Sequence, residues 1–161
     1  MKKKVAINGF GRIGRLVYRA FLERSNEFSD QYEIAYINDL ADIDTNIHLL
    51  KYDSIHGPLS KEINKISKEQ FSIDENKVTV TSERNPIDLN WSDKNVDIIL
   101  ECTGVFASKD KAMSHVESGA SKVIVSAPCS GADITVVQGV NDKNINLDHQ
   151  VISNASCTTN C

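Results

Sequence analysis

Two stretches of the chain carry reactive or ligand-seeking chemistry, one at each end. Near the C-terminus stands Ser156-Cys157-Thr158-Thr159-Asn160-Cys161. Ser156 is a good helix cap, which would put Cys157 in a first helical turn. Unpaired N–H groups and the helix dipole at such a position favour a thiolate, the nucleophilic form of cysteine. On spacing alone, a buried structural cysteine fits Cys157 equally well. Cys161 lies four residues on, would share the helix face, and reads as a packing thiol. No histidine falls within the segment.

Near the N-terminus, Gly9-Phe10-Gly11-Arg12-Ile13-Gly14 has the spacing G-x-G-x-x-G. It follows an apolar strand, Val5–Ile7, and opens a helical stretch, Arg12–Glu23. In that setting one glycine permits the tight turn, the next lets backbone approach a pyrophosphate, and the last lets helix and strand pack closely. The helix N-terminus attracts the phosphates. The plainer alternative is a hairpin corner at Asn8-Gly9. A hairpin does not account for the helical stripe that follows, in which Ile13, Leu16, Val17, Ala20 and Phe21 share one face.

A dinucleotide site also needs a carboxylate at the end of the second strand, for the adenosine ribose hydroxyls. Asp39 ends the strand Glu33–Ile37, twenty-five residues after Gly14, where about 20 is usual. The surplus falls in the polar stretch Ser25–Gln31. A carboxylate here repels a 2′-phosphate and favours NAD over NADP. The alternative role is a turn or cap aspartate, since Asp42 and Asp44 are close by.

These residues need a scaffold, and the hydrophobic pattern supplies an α/β one. Ile43–Tyr52 reads as a helix capped by Asp42 or Asp44, with Ile43, Ile47 and Leu50 inward. Val78–Thr81 alternates like a half-exposed antiparallel strand, and Asn85-Pro86 marks a turn. Val96–Cys102 and Lys122–Ser126 read as strands flanking a helix, Lys109–Ser118, that ends at Gly119. Thr135–Gln138 and Gln150–Ser153 complete the set. The expected architecture is a Rossmann-type, doubly wound, mostly parallel sheet with an antiparallel extension.

Composition narrows the function classes. The 161 residues are 40% hydrophobic and 25% charged, ordinary for one folded domain. Eighteen Lys and Arg against twenty-two Asp and Glu give a net charge of −4, which offers no field for nucleic acid or an anionic membrane. The longest apolar run, Ile34–Ile37, is far short of a spanning helix. No signal-peptide pattern is present. Cys102, Cys129, Cys157 and Cys161 form no CxxC pair, and His48, His56, His115 and His149 are scattered, so no metal site is expected. A cytoplasmic location follows as the default.

Seven segments occur in one consistent order: Val5–Arg15, Ile37–Leu40, Leu49–Ser54, Ser82–Arg84, Glu101–Phe106, Val125–Pro128 and Ser153–Cys161. Together they closely resemble the phosphorylating glyceraldehyde-3-phosphate dehydrogenase family, whose active-site signature the last segment matches. The resemblance assigns Asn8, Gly9, Phe10, Gly11, Arg12 and Ile13 to NAD, with Arg12 and Ile13 meeting the pyrophosphate through the backbone. It places Asp39 at the adenosine ribose, Arg84 beside the adenine, and Thr103 and Ser126 on the nicotinamide side. Cys157 would be the nucleophile, with Ser156 and Thr158 contacting glyceraldehyde 3-phosphate or inorganic phosphate. A homotetramer is implied for the family.

The resemblance also sets out what should differ here. Residues 1–154 would be the NAD-binding domain, and 155–161 the start of a catalytic domain cut short. The family's catalytic histidine follows the cysteine, whereas all four histidines precede Cys157. The isolated fragment is therefore expected to be inactive, its terminal helical turn frayed and its last strand left as an uncovered apolar patch. Cys102 and Cys129 stand where serine is more usual and read as packing substitutions. Erythrose-4-phosphate dehydrogenase shares the glycine turn and cysteine signature but resolves its thioester with water, and Asp39 leans away from it. A non-catalytic NAD-binding module is the alternative from outside the enzyme class.

Overall fold

The computed structural model describes residues 1–161. β1 (Lys3–Asn8) passes through the glycine turn into α1 (Arg12–Glu23), then a short α2 (Ser25–Phe28) and β2 (Tyr32–Asn38). α3 (Ile43–Lys51) leads to a small antiparallel pair, β3 (Tyr52–Asp53) and β4 (Gly57–Pro58). β5 (Ile63–Lys65), β6 (Gln70–Ile73) and β7 (Asn76–Thr81) follow as an antiparallel meander. A 3-10 turn at Pro86–Leu89 and α4 (Trp91–Lys94) precede β8 (Ile98–Glu101). α5 (Lys109–Glu117), β9 (Lys122–Val125), β10 (Ile134–Thr135), β11 (Val151–Ser153) and α6 (Cys157–Asn160) complete the chain.

The main sheet has nine strands in the order β10-β11-β9-β8-β1-β2-β7-β6-β5. From β10 to β7 every neighbouring pair is parallel. β7 is the junction: parallel to β2 on one edge and antiparallel to β6 on the other. The half-exposed antiparallel strand expected there is thus also the last member of the parallel run. The whole is the doubly wound, mostly parallel sheet with an antiparallel extension.

Alternation along β1 shows why the sheet needs a helical layer on each face. Val5 and Ile7 join one core, with Tyr18, Leu22, Ile37 and Leu50. Ala6 joins the other, with Trp91, Ile99, Val123 and Val151. A strand buried on both sides is what a parallel sheet between helices requires.

Three expectations need correction. The stripe Ile13–Phe21 is not the buried face of α1: Ile13 is 49% exposed and Ala20 is exposed. Gly14, Tyr18, Arg19 and Leu22 face inward instead. Gly14 is pressed against the turn, and residues four and eight positions on follow it inward. The strand expected at Thr135–Gln138 lies at Ile134–Thr135. Val136 N–H still reaches the Ser153 carbonyl, but the Asn141 side chain captures Val137 N–H at 2.8 Å and ends the pairing. Finally, β11 is no open patch. Val151, Ile152 and Ser153 are all buried, between β9 and β10 with α5 against the strand. No helix is long and apolar enough to cross a membrane.

Candidate dinucleotide cleft and cysteine turn

The strand order reverses between β1 and β8, the place where open α/β sheets form their ligand crevice. The glycine turn sits there, and two of its glycines are dictated by contact. A Cβ on Gly14 would lie 2.2 Å from the Gly9 carbonyl oxygen. Gly9 has φ +90°, and a Cβ on it would lie 2.7 Å from the Thr103 backbone nitrogen. Gly11 differs: nothing lies within 4 Å of its virtual Cβ. No protein group demands a glycine there, which suits a position kept clear for a ligand's phosphates. Arg15 backs the turn, its guanidinium donating to the Phe10 carbonyl at 2.8 Å.

Asp39 closes the turn from β2. Its carboxylate accepts Phe10 N–H at 2.7 Å and Ala41 N–H at 2.9 Å, one on each oxygen. Each oxygen keeps a further acceptor site, which a ribose diol can use. Around this point lies a cleft of about 410 Å³, walled by Asn8, Gly9, Gly11, Asp39, Arg84 and Thr103, with apolar surface from Leu40, Val105 and Phe106. These apolar side chains can cover flat rings, while the polar groups fix orientation.

The structure distributes the remaining candidates unevenly. Phe10 turns its ring into the core, 6.2 Å from Tyr18, and offers the site only its backbone. Arg12 and Ile13 are exposed at the start of α1, Arg12 paired with Asp53 at 3.3 Å. The N–H groups of His56 and then Ile55 hold the Asp53 carboxyl far below the usual carboxylate range. Arg84 is exposed at the cleft rim. Ser126 stands one strand over, at the end of β9, its N–H bonded to the Glu101 carbonyl. Cys102, a cleft-wall residue, has its thiol pushed up to about 11, chiefly by burial. No group of three His, Cys, Asp or Glu side chains is placed to hold a metal ion.

Beneath the cleft runs a buried polar network that spacing did not reveal. Glu101, His115, Asn8 and Trp91 are all at most 2% exposed. Glu101 Oε2 accepts Asn8 Nδ2–H at 2.6 Å and His115 Nε2–H at 3.0 Å. Its Oε1 accepts both the N–H and the hydroxyl of Thr103. The His115 tautomer follows from Trp91. An indole N–H only donates, so Nδ1 must accept it, at 3.1 Å, and the ring proton sits on Nε2. Asn38 extends the network, donating to Asn8 Oδ1 at 2.7 Å and accepting from the Thr81 hydroxyl and the Glu83 N–H. The one sequence signal was Glu101, a carboxylate closing an otherwise apolar strand. Its partners lie up to 107 residues apart and share no local pattern.

The cysteine turn forms a second locus. Ser156 caps α6, its Oγ accepting Thr159 N–H at 3.0 Å, and lies 3.0 Å from Thr158 Oγ1. Asn160 ties the turn back to the Asn154 and Ser156 carbonyls. These bonds close a turn that a bare four-residue segment would leave frayed. Cys157 and Thr158 are exposed. Ala155 immediately before them is held at φ +57°, a conformation costly for a residue with a Cβ. Ser156 lines a pocket of about 420 Å³ with Ala107, Cys129 and Thr135. Ala107 directly follows Phe106 of the cleft wall, so one short segment borders both cavities.

A G-x-G-x-x-G turn at the switch point of a parallel sheet, with a carboxylate on the adjoining strand, defines a Rossmann-type dinucleotide-binding domain. Residues 3–109 match the family model described as "Glyceraldehyde 3-phosphate dehydrogenase, NAD binding domain". All 161 residues align with glyceraldehyde-3-phosphate dehydrogenase of Xanthobacter flavus at 49% identity, covering 47% of that protein. Identity to the enzyme of Cereibacter sphaeroides is 47%, over 46% of its length. To glyceraldehyde-3-phosphate dehydrogenase 2 of Streptomyces avermitilis it is 50%, over 47% of its length. The chain spans about half the length of the curated relatives it matches. It belongs to the glyceraldehyde-3-phosphate dehydrogenase family, carrying the NAD-binding half, and NAD is its dinucleotide.

Proposed function

We propose that residues 1–154 form the NAD-binding domain of a phosphorylating glyceraldehyde-3-phosphate dehydrogenase, and that 155–161 begin its catalytic domain. The observation that carries the reading is Asp39, a carboxylate that accepts Phe10 N–H of the glycine turn and lines the cleft. In this reading the pyrophosphate lies over the turn at Asn8–Ile13, and Arg84 flanks the adenine. Thr103 lines the nicotinamide end, with Ser126 beside it. Cys157 as thiolate attacks the aldehyde carbon of glyceraldehyde 3-phosphate and gives a thiohemiacetal. NAD, when bound, serves as the hydride acceptor. Loss of the hydride leaves an acyl thioester on Cys157, which inorganic phosphate cleaves to 1,3-bisphosphoglycerate, restoring the thiolate. Ser156 and Thr158 orient the phosphate groups. The glycolytic role, the cytoplasmic location and a homotetramer belong to the same proposal.

The test is titration of the protein with NAD and NADP. NAD should bind more tightly, by about tenfold or more, because Asp39 repels the 2′-phosphate. Asp39→Ala should abolish the preference. Equal binding of the two, or no binding of either, overturns the reading. For the chemistry, an aldehyde-dependent acyl enzyme at Cys157 that only phosphate discharges is expected in the protein containing the relatives' second half. Discharge by water alone would point instead to the erythrose-4-phosphate type of reaction.

A further inference from the structure

At the end of the sheet opposite the dinucleotide cleft, where β1, β2 and β7 begin, lies a more enclosed cavity of about 170 Å³. α1 walls it with Tyr18, Phe21 and Leu22, β2 with Ile34, and the β6–β7 turn with Asp74. Tyr18 is 1% exposed, and its Oη is the one buried side-chain polar atom of the chain without a hydrogen-bond partner. Folded proteins pair nearly all such groups, so an orphan on a cavity wall points to a ligand. Burial first, and the Asp74 charge second, push the Tyr18 ionisation up, so Oη keeps its proton as a donor. Asp74 gives Oδ2 to Lys61 at 2.6 Å and keeps Oδ1 as a free acceptor.

The wall selects its ligand in three ways. A donor at Tyr18 and an acceptor at Asp74 border one cavity, and a hydroxyl answers both, accepting from the first and donating to the second. Lys2, Lys61, Glu33 and Asp74 bring two charges of each sign, which favours no ion. Phe21, Leu22 and Ile34 offer apolar surface to the rest of the ligand, and a cavity of about 150 Å³ takes one benzene-sized ring. We propose that this cavity is a second binding site, for a small neutral ring bearing one hydroxyl, a simple phenol in chemical class. The hydroxyl sits between Tyr18 Oη and Asp74 Oδ1. The ring enters past the Lys61–Asp74 pair, whose side chains are 30% and 51% exposed, and the long lysine stem is the part of the wall that yields. No residue of this wall belongs to the dinucleotide cleft, so the two sites fill independently.

The experiment titrates the 161-residue protein with phenol and with toluene, which has the same shape and no hydroxyl, read by NMR at Tyr18, Phe21 and Ile34. Phenol should shift these signals and bind about tenfold more tightly than toluene, the worth of one hydrogen bond. Excess NAD should leave phenol in place. Tyr18→Phe removes the orphan hydroxyl and keeps the ring that packs the core, so the protein stays folded. In that variant the phenol-to-toluene ratio should fall to about one, with toluene affinity unchanged within about twofold. Asp74→Gly is a second variant, at a φ of +53° that glycine adopts freely, and it should lower the ratio in the same way. Equal binding of the two probes by the wild-type protein, a ratio unchanged in either variant, displacement of phenol by NAD, or no binding of either probe overturns the proposal.

Discussion

At the residue scale, the three glycines of the turn are not equivalent. Gly14→Ala forces a methyl group against backbone that cannot move aside, 2.2 Å from the Gly9 carbonyl. We expect a loss of about 1–3 kcal/mol, read as a lowered denaturant midpoint. Gly11→Ala meets no protein atom within 4 Å. It should leave that midpoint in place and remove NAD binding, since its methyl occupies the phosphate path. A variant at Gly11 that binds NAD normally would show that the phosphates take another route. The four thiols divide just as sharply. Cys157 and Cys161 are exposed, whereas Cys129 is buried and the Cys102 thiol is pushed up to about 11. A disulfide reagent at pH 8 should titrate two thiols at once and the other two only in denaturant. Rapid reaction of a third would mean that the cleft wall opens at Cys102.

At the element scale, one carboxylate fastens the start of α5 to β11. Asp133 pairs with Lys109 and accepts the N–H groups of Val151 and Gln150. These contacts, the Lys109 bond first, bring its carboxyl down to about 2. A depressed carboxyl stabilises the fold above the ordinary carboxylate range, near pH 4, and loses that contribution as pH falls toward 2. Asp133→Asn should therefore melt below the wild-type protein at pH 6, with the gap closing between about pH 4 and pH 2. A constant gap would mean that the charge contributes nothing. The elements themselves were largely legible in the sequence. α1 and the strand preceding it emerge from periodicity because apolar and polar residues alternate at the right interval. The rotation of α1 was not legible, because Ile13, Leu16, Val17, Ala20 and Phe21 make as good a stripe as Gly14, Tyr18 and Leu22. Only the glycine contact with β1's turn decides between them. The site shows the same division. The glycine turn and Asp39 are readable because they are local to strand ends, whereas Trp91, His115 and Glu101 meet only after the sheet has assembled.

At the scale of the molecule, the cleft belongs to neither half of the sheet alone. Asp39 and the glycine turn follow β2 and β1, Thr103 follows β8, and the reversal of strand order puts them face to face. A preference for NAD over NADP should therefore be a property of the intact sheet. Separately produced segments divided between β7 and β8 should bind neither dinucleotide in a titration. Segments that bind alone would assign the cofactor to one half.

The pairing of β1 with β8, Val5 against Ile98 through Asn8 against Glu101, joins residues 93 positions apart. A ribosome makes the first of these long before the second. While the chain is being synthesised, the glycine turn exists for the whole interval without its opposite wall. Cofactor capture cannot guide the early steps of this protein's birth. It becomes possible only once Thr103 has cleared the exit tunnel, and the buried carboxylate at Glu101 completes its set of four donors later still, when His115 follows.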